Sequence, residues 1–96
     1  MGAAIFDVAV KGTNAKDAFA RAIKDAQYEY GHGGYTGSIA EKETFVMIGK
    51  VASREEARAL GTKLLDDDDE RVTDKWGPAG CIEYPGGFYF FGWASS

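Results

Sequence analysis

The residues with the most potential for chemistry lie in the segment 28–37, Tyr-Glu-Tyr-Gly-His-Gly-Gly-Tyr-Thr-Gly, which contains the only histidine of the chain. Glycine permits close backbone approach, and tyrosine offers a flat apolar face tipped with a hydroxyl. The glycines follow a predicted helix and do not match the phosphate loop, whose glycines precede a helix. Three interpretations stay open: a phosphate-binding loop, a structural loop whose tyrosines close over the core, and a contact loop.

His32 within this segment is a candidate general base or metal ligand. A single histidine is a poor metal set, and a base needs an orienting partner, so a hydrogen-bonded loop histidine is the simpler interpretation. The sequence shows no nucleophile–base pair and no metal-ligand pattern. We therefore predict no catalytic residue, no cofactor and no metal. We take Tyr30, His32 and Tyr35 as residues that contact a partner.

A second candidate site is the acidic run Asp66-Asp67-Asp68-Asp69-Glu70. Its oxygen ligands suggest calcium, but it lacks the glycine and the twelfth-position glutamate of a calcium loop. A solvated turn at a helix end is the second interpretation. The third is a contact for a partner with a basic surface, and on this interpretation Asp67, Asp68 and Asp69 are the binding residues.

Composition limits the classes of function. The 96 residues make a single domain, 1–96, with 45% hydrophobic residues and a formal net charge of −4. An acidic chain is a poor candidate for direct nucleic-acid binding. The chain has no signal-peptide pattern and no membrane-length apolar run, so we expect a cytoplasmic protein. Cys81 reads as a small buried hydrophobic residue.

Periodicity predicts the order β-α-β-α-β-β, an α+β fold with two helices on one face of a small, mainly antiparallel sheet. The second helix contains Gly61, which suggests close packing there. Pro85-Gly86 suits a type II turn between the last two strands. The predicted elements are a strand at 3–11, a helix from a cap at Thr13 or Asn14 to a stop at Gly31, a helix from the capping box at Ser53 to about Asp67, and a hairpin of 80–84 with 88–93. Between the helices, 38–40 and 44–48 have strand patterns. We predict one strand over 38–48, and the alternative is a small hairpin that turns at 41–43.

The last strand sends aromatic side chains to both faces, with Tyr89, Phe91 and Trp93 on one of them. If both helices lie on the other face, these three side chains form an exposed patch. Either the sheet curls to bury both faces, or this face binds another chain. We therefore expect partner binding through Trp93, or a homodimer through this strand face.

The block Tyr-Gly-His-Gly-Gly-Tyr-Thr-Gly-Ser-Ile-Ala-Glu-Lys at 30–42 resembles one found in small proteins predicted in phage and bacterial genomes. The ending Phe-Tyr-Phe-Phe-Gly-Trp-Ala is similar too. No activity is attached to these proteins, so the resemblance transfers no functional residue. It implies a phage accessory protein, and by analogy an inhibitor of host machinery of the anti-CRISPR or another anti-defence type.

The sequence thus predicts a non-enzymatic protein-binding module, an inhibitor that acts by surface contact on a host protein or another protein with a basic surface. The alternative is a small-ligand or nucleotide-binding protein that uses the segment 28–37. A hydrolytic enzyme ranks third, because no catalytic set is visible.

Overall fold

A computed structural model describes residues 3–30, 38–74 and 76–95 of the chain. The described elements follow the predicted order and form an α+β fold with one four-stranded sheet. Strands β1 and β3 flank β4 and run antiparallel to it, and β2 runs parallel to β3 at the sheet edge. The elements are β1 (Ala3–Lys11), α1 (Ala15–Tyr30), a 3₁₀ helix (Ile39–Glu41), β2 (Phe45–Lys50), α2 (Arg54–Asp66), β3 (Ala79–Tyr84) and β4 (Gly87–Ser95).

Local sequence determines where the helices start and how the hairpin turns. The Asn14 side chain accepts hydrogen bonds from the Lys16 and Asp17 N–H groups and so caps α1. Ser53 caps α2 by accepting from the Glu56 N–H, and the Glu56 carboxylate accepts from the Ala52 N–H. Between β3 and β4, Gly86 has φ of 91°, as the third residue of a type II turn requires.

The two helices cover opposite faces of the sheet, so the predicted placement of both on one face is wrong. On one face α1 packs through Phe19 on Phe90, with ring centroids 5.5 Å apart. On the other face α2 packs over Tyr89 and Phe91, which belong to the same buried cluster as Ala57 and Leu65. Each helix therefore has its own hydrophobic core, and β4 contributes aromatic rings to both.

The direction of the two crossovers explains this arrangement. The first crossover leads from β1 at one edge to β2 at the other edge, and the second leads back from β2 to the adjacent β3. Connections between parallel strands are almost always right-handed. Two right-handed connections that cross a sheet in opposite directions place their helices on opposite faces.

This arrangement removes the reason for expecting a homodimer through the last strand. Tyr89 is 4% exposed and Phe91 is fully buried, so α2 already covers the face that seemed to need a partner. Trp93 is half-buried against the same cluster. The sheet does not need to curl, because a helix lies on each face.

The segment 38–48 is the second difference from the sequence prediction. Instead of one long strand, Ile39–Glu41 forms a 3₁₀ helix and the strand begins at Phe45. The Ser38 hydroxyl accepts from the Ala40 N–H and caps the short helix. Serine competes for local backbone bonds in this way, and the competition outweighs the weak strand pattern of Ser38-Ile39-Ala40.

Close packing of α2 on β4 depends on Gly61. A Cβ atom added at Gly61 would lie 2.7 Å from Cε2 of Tyr89 and 3.2 Å from Cγ of Phe91. The predicted close packing at this glycine is therefore confirmed.

We predict that Gly61→Ala lowers the free energy of unfolding by about 1 kcal/mol. Overpacking costs about 1–3 kcal/mol, and the higher helix propensity of alanine offsets up to about 1 kcal/mol of it. Urea denaturation measures the change. The control is Gly49→Ala, where an added Cβ has no atom within 4 Å and should change stability by less than about 0.5 kcal/mol. A more stable Gly61→Ala variant would contradict the close packing.

Candidate functional site

The topology brings both helix C-termini to the same end of the sheet. Strands β1, β2 and β3 point the same way, because β4 is antiparallel to β1 and β3 and β2 is parallel to β3. Each helix follows one of these strands and returns to the start of the next. Both α1 and α2 therefore finish at the end where β1, β2 and β3 begin and β4 ends. We call it the acidic end.

The acidic run closes α2 with a left-handed turn. The Asp68 N–H donates to the Leu65 carbonyl at 3.3 Å, and the Asp69 N–H donates to the Leu64 carbonyl at 3.0 Å. This pair of backbone hydrogen bonds defines the Schellman motif, whose left-handed residue is usually glycine. Here it is Asp68, with φ of 54°. The predicted end of α2 near Asp67 is confirmed, and the run forms a turn.

Within this turn, Asp69 already has a partner. Its carboxylate accepts two bonds from the Arg71 guanidinium and one from the Arg71 N–H, each at 2.9 Å. The hydrogen bonds from the Arg71 side chain, and after them the bond from its backbone N–H, lower the pKa of the Asp69 carboxyl to about 2. Asp67 and Asp68 are exposed, and neither takes part in this ion pair. They are the better placed of the three predicted acids for contact.

A buried lysine fixes the loop after the turn. Lys42 is 4% exposed, and its ammonium donates to the Gly77 carbonyl at 2.9 Å and the Asp74 carbonyl at 3.4 Å. Its Nζ also lies 5.9 Å from the centroid of the Phe6 ring. The Asp74 carboxylate accepts from the Trp76 N–H at 2.8 Å. These bonds hold the backbone around Trp76 in place, so the indole is presented from a constrained loop.

Large apolar side chains are exposed at the acidic end. Trp76 is 66% exposed in the loop before β3, Tyr28 is 95% exposed in the last turn of α1, and Ile5 is 54% exposed near the start of β1. Of the large hydrophobic side chains that the described residues expose, only Met47 in β2 lies away from this end. Exposed aromatic side chains at one end of a small domain are typical of a protein-binding surface.

Charge is also concentrated there. The helix dipoles add negative potential, because both C-termini point to this end. Of the bases nearby, Lys42 is buried and Arg71 is bound to Asp69. The described acids at this end are Asp25, Glu29, Glu43, Asp66, Asp67, Asp68, Asp69, Glu70 and Asp74, and the described bases are Lys24, Lys42, Lys63 and Arg71.

The remaining predicted contact residues relate to this end in different ways. Tyr30 is the last residue of α1, so its backbone lies at the acidic end. His32 and Tyr35 lie outside the described residues. Trp93 stands opposite Ile5 in the sheet and is half-buried against the α2 core. The structure therefore brings Tyr30, Trp93 and the acidic run to one end, although they belong to opposite faces.

Sequence reasoning missed Trp76 as a contact residue. It lies in a segment without periodicity, Val72 to Trp76, so no pattern indicated whether the indole is buried. Its position directly after Asp74-Lys75 was the available sign, because an apolar side chain among charged neighbours in a loop is often exposed. Tyr28 belongs to the predicted contact segment 28–37, but it lies in the part of that segment that forms the last turn of α1.

Other reactive groups are inside the domain. Cys81 is fully buried in the α1 core, and burial raises the pKa of its thiol to about 12, which confirms the predicted structural role. Burial, followed by the Asp7 carboxylate at 2.8 Å, raises the pKa of the Tyr89 hydroxyl above its usual value. Within 3–30, 38–74 and 76–95, no three His, Cys, Asp or Glu side chains converge as metal ligands.

Neither described helix combines the length and the hydrophobicity needed to cross a bilayer. Comparison with protein-family models, with curated proteins and with solved structures finds no match to this chain.

The Asp69–Arg71 pair has a measurable titration. In the folded protein we expect the Asp69 carboxyl to titrate with a pKa of about 2, against an ordinary value of 3.8. Because the pKa is lowered by folding, the pair stabilises the fold above about pH 4, and this contribution is lost as the pH falls towards 2. Carboxyl ¹³C NMR measures the titration. In Arg71→Ala the midpoint should rise towards 3.8, and an unchanged midpoint would contradict the pairing.

The left-handed turn yields a second prediction. Asp68→Gly should raise the free energy of unfolding by up to about 1 kcal/mol, because glycine accepts positive φ without strain and the change removes an acid from a helix C-terminus. The matched control is Asp67→Gly, which removes the same charge at a residue with φ of −84° and should not stabilise. Thermal unfolding of both variants tests this. Equal effects of the two changes would contradict a strained turn.

Proposed function

We propose that this chain is a non-enzymatic protein-binding module that binds a basic surface of another protein through its acidic end. The observation that carries the proposal is the coincidence of exposed aromatic side chains with the negative pole of the domain. Trp76 and Tyr28 supply apolar contact area, and Asp67 and Asp68 supply charge around it. Interfaces with aromatic anchors and a charged rim bind tightly and select partners by complementary charge.

Local stability gives a second line of support. The acids of the run lie at a helix C-terminus, where the dipole disfavours negative charge, and Asp68 holds a left-handed conformation that suits glycine better. Both choices cost stability in the free protein. Features that break local rules in this way are expected at functional sites. Binding to a cationic surface would offset the electrostatic part of the cost.

The partner in this proposal is a component of host defence, and the chain is a phage-encoded inhibitor acting in the cytoplasm. The support is the resemblance of the block at 30–42 to small proteins of phage and bacterial genomes. Defence proteins that bind nucleic acids carry basic surfaces for the phosphate backbone, and an acidic surface is complementary to them. The inhibitor would compete with nucleic acid for the basic surface, with no chemical step.

The polarity of the acidic end does not favour the alternative of nucleotide binding. The segment 31–37 follows the C-terminus of α1, and Glu29 lies in the last turn of that helix. A phosphate group would meet the negative end of the dipole and a carboxylate, whereas phosphate sites use helix N-termini.

We predict that substitutions of the exposed aromatic and acidic residues at the acidic end weaken partner capture. The immobilised chain is incubated with bacterial lysate at low and high salt, and captured proteins are quantified by mass spectrometry. Trp76→Ala should weaken capture by about tenfold, as expected for a hot-spot residue, and Asp67→Asn with Asp68→Asn should slow association and reduce its salt dependence. The proteins lost from the variants should be basic.

The matched control is Glu55→Gln with Glu56→Gln, which removes the same charge from the first turn of α2 at the opposite end. This variant should retain capture if its helix content is unchanged. The same captured proteins in all variants would contradict the proposal.

A second experiment tests the inhibitor function. The chain is expressed in bacterial strains that each carry one defence system, and the strains are infected with a phage that this system blocks. Expression of the chain should restore plaque formation in one of the strains, and expression of Trp76→Ala should not. Restoration in none of them would remove the anti-defence assignment.

A further inference from the structure

One edge of the sheet is open for strand addition. In the described part of the chain, no strand pairs with the outer side of β1, whose nine residues keep continuous register with β4 from Ala3 to Lys11. The other edge strand, β2, is interrupted by a shift in register between Met47 and Gly49. Bulges protect sheet edges from pairing, and β1 has neither a bulge nor a proline.

The hydrogen-bond pattern shows which groups of β1 face outward. The Gly12 N–H donates to the Gly86 carbonyl at 3.1 Å, so residues of even number in β1 direct their backbone groups to β4. The two-residue turn between Tyr84 and Gly87 requires the same alternation. The backbone groups of Gly87 point to β3, so those of the next residue, Phe88, point to β1. The N–H and C=O groups of Ile5, Asp7 and Ala9 therefore point away from the sheet.

The open part of the edge is the half nearest the acidic end. At the far end of β1, the Lys11 carbonyl accepts a hydrogen bond from Nη2 of Arg21 and is thereby covered. The open stretch is 5–9, and a segment of about five extended residues would span it.

A groove of about 410 Å³ runs between this edge and α1. Its floor includes Val8, Ala22 and Ala26, and its rim carries the carboxylates of Asp25 and Glu29. An apolar floor with an acidic rim fits lysine and arginine, whose aliphatic stems pack on apolar surface while the charged head stays at the rim. On the other side of the edge, Asp7, Arg54 and Arg58 form a surface of mixed charge that suits polar side chains.

We propose that the β1 edge binds an extended segment of the protein partner in which basic and polar side chains alternate, and that this segment adds to the sheet as a fifth strand. The proposal rests on the proposed protein-binding function and adds the form of the ligand. A second copy of β1 fits less well, because two-fold antiparallel pairing about its central residue places Asp7 directly opposite Asp7 of the second copy.

The probe for this proposal is the capped peptide (Thr-Lys)₄, with (Thr-Glu)₄ as the charge-reversed peptide. ¹⁵N-labelled protein is titrated at low salt, and amide hydrogen exchange is followed residue by residue. The Ile5, Asp7 and Ala9 N–H groups should exchange rapidly in the free protein and at least tenfold more slowly with saturating (Thr-Lys)₄. The (Thr-Glu)₄ peptide should leave their exchange unchanged.

Two variants distinguish binding of the peptide at the β1 edge from its attraction by the overall negative potential of the domain. Ala9→Pro removes an outward N–H group without removing a bond to β4, and it should weaken (Thr-Lys)₄ binding at least fivefold. Asp25→Asn with Glu29→Gln should also weaken it. The control with the same change in charge at the opposite end of the domain, Asp17→Asn with Glu83→Gln, should bind as the unmodified protein does.

Four results would overturn the proposal. Amide chemical-shift changes on addition of (Thr-Lys)₄ that are confined to residues outside β1 would place the peptide elsewhere. Protection of the Ile5, Asp7 and Ala9 amides in the free protein, independent of concentration, would mean that the chain itself covers the edge. Protection that grows with protein concentration would identify a second copy as the occupant. If (Thr-Lys)₄ does not bind while Trp76→Ala still weakens partner capture, strand addition is wrong and the proposed function stands.

Discussion

The arrangement of this domain depends on one topological constraint, the handedness of its two crossover connections. The first crosses the sheet from β1 to β2, and the second returns from β2 to β3. Because connections between parallel strands are almost always right-handed, the two connections place one helix on each face. The aromatic residues of β4 are then buried on both faces, with Phe90 under α1 and Phe91 under α2. A single strand thus connects two hydrophobic cores.

The same constraint produces the polarity of the surface. Each helix runs back to the end of the sheet where β1, β2 and β3 begin, so both C-termini and their dipoles add negative potential there. The acidic run extends this pole, and Lys42 holds the loop that presents Trp76 at the same end of the domain. Among the described residues, no strand pairs with the outer edge of β1, and the open stretch of this edge lies towards the same end. Apolar anchors, negative charge and backbone groups without a strand partner therefore coincide on one part of the described structure.

The sequence predicted the elements better than their arrangement. Capping residues such as Asn14 and Ser53, and the Pro85-Gly86 turn, act locally, so the helix starts and the hairpin could be predicted. The faces occupied by the helices depend on strand order, which no local pattern encodes, and the homodimer expectation rested on the wrong placement of α2. Within the site, the acidic run could be recognised directly in the sequence. The exposure of Trp76 could not be predicted, because it depends on the hydrogen bonds of Lys42, a residue distant in the sequence, to the loop that contains Trp76.

The most direct test of the account is a residue-by-residue measurement of the surface potential. Paramagnetic relaxation of amide protons is compared between a cationic and an anionic nitroxide of the same size. We predict that the ratio of cationic to anionic enhancement is highest around Tyr28, Asp67 and Trp76, is lower around Lys11 and Lys50 at the opposite end, and becomes uniform as salt is added. A uniform ratio over the surface at low salt would contradict a negative pole set by the fold.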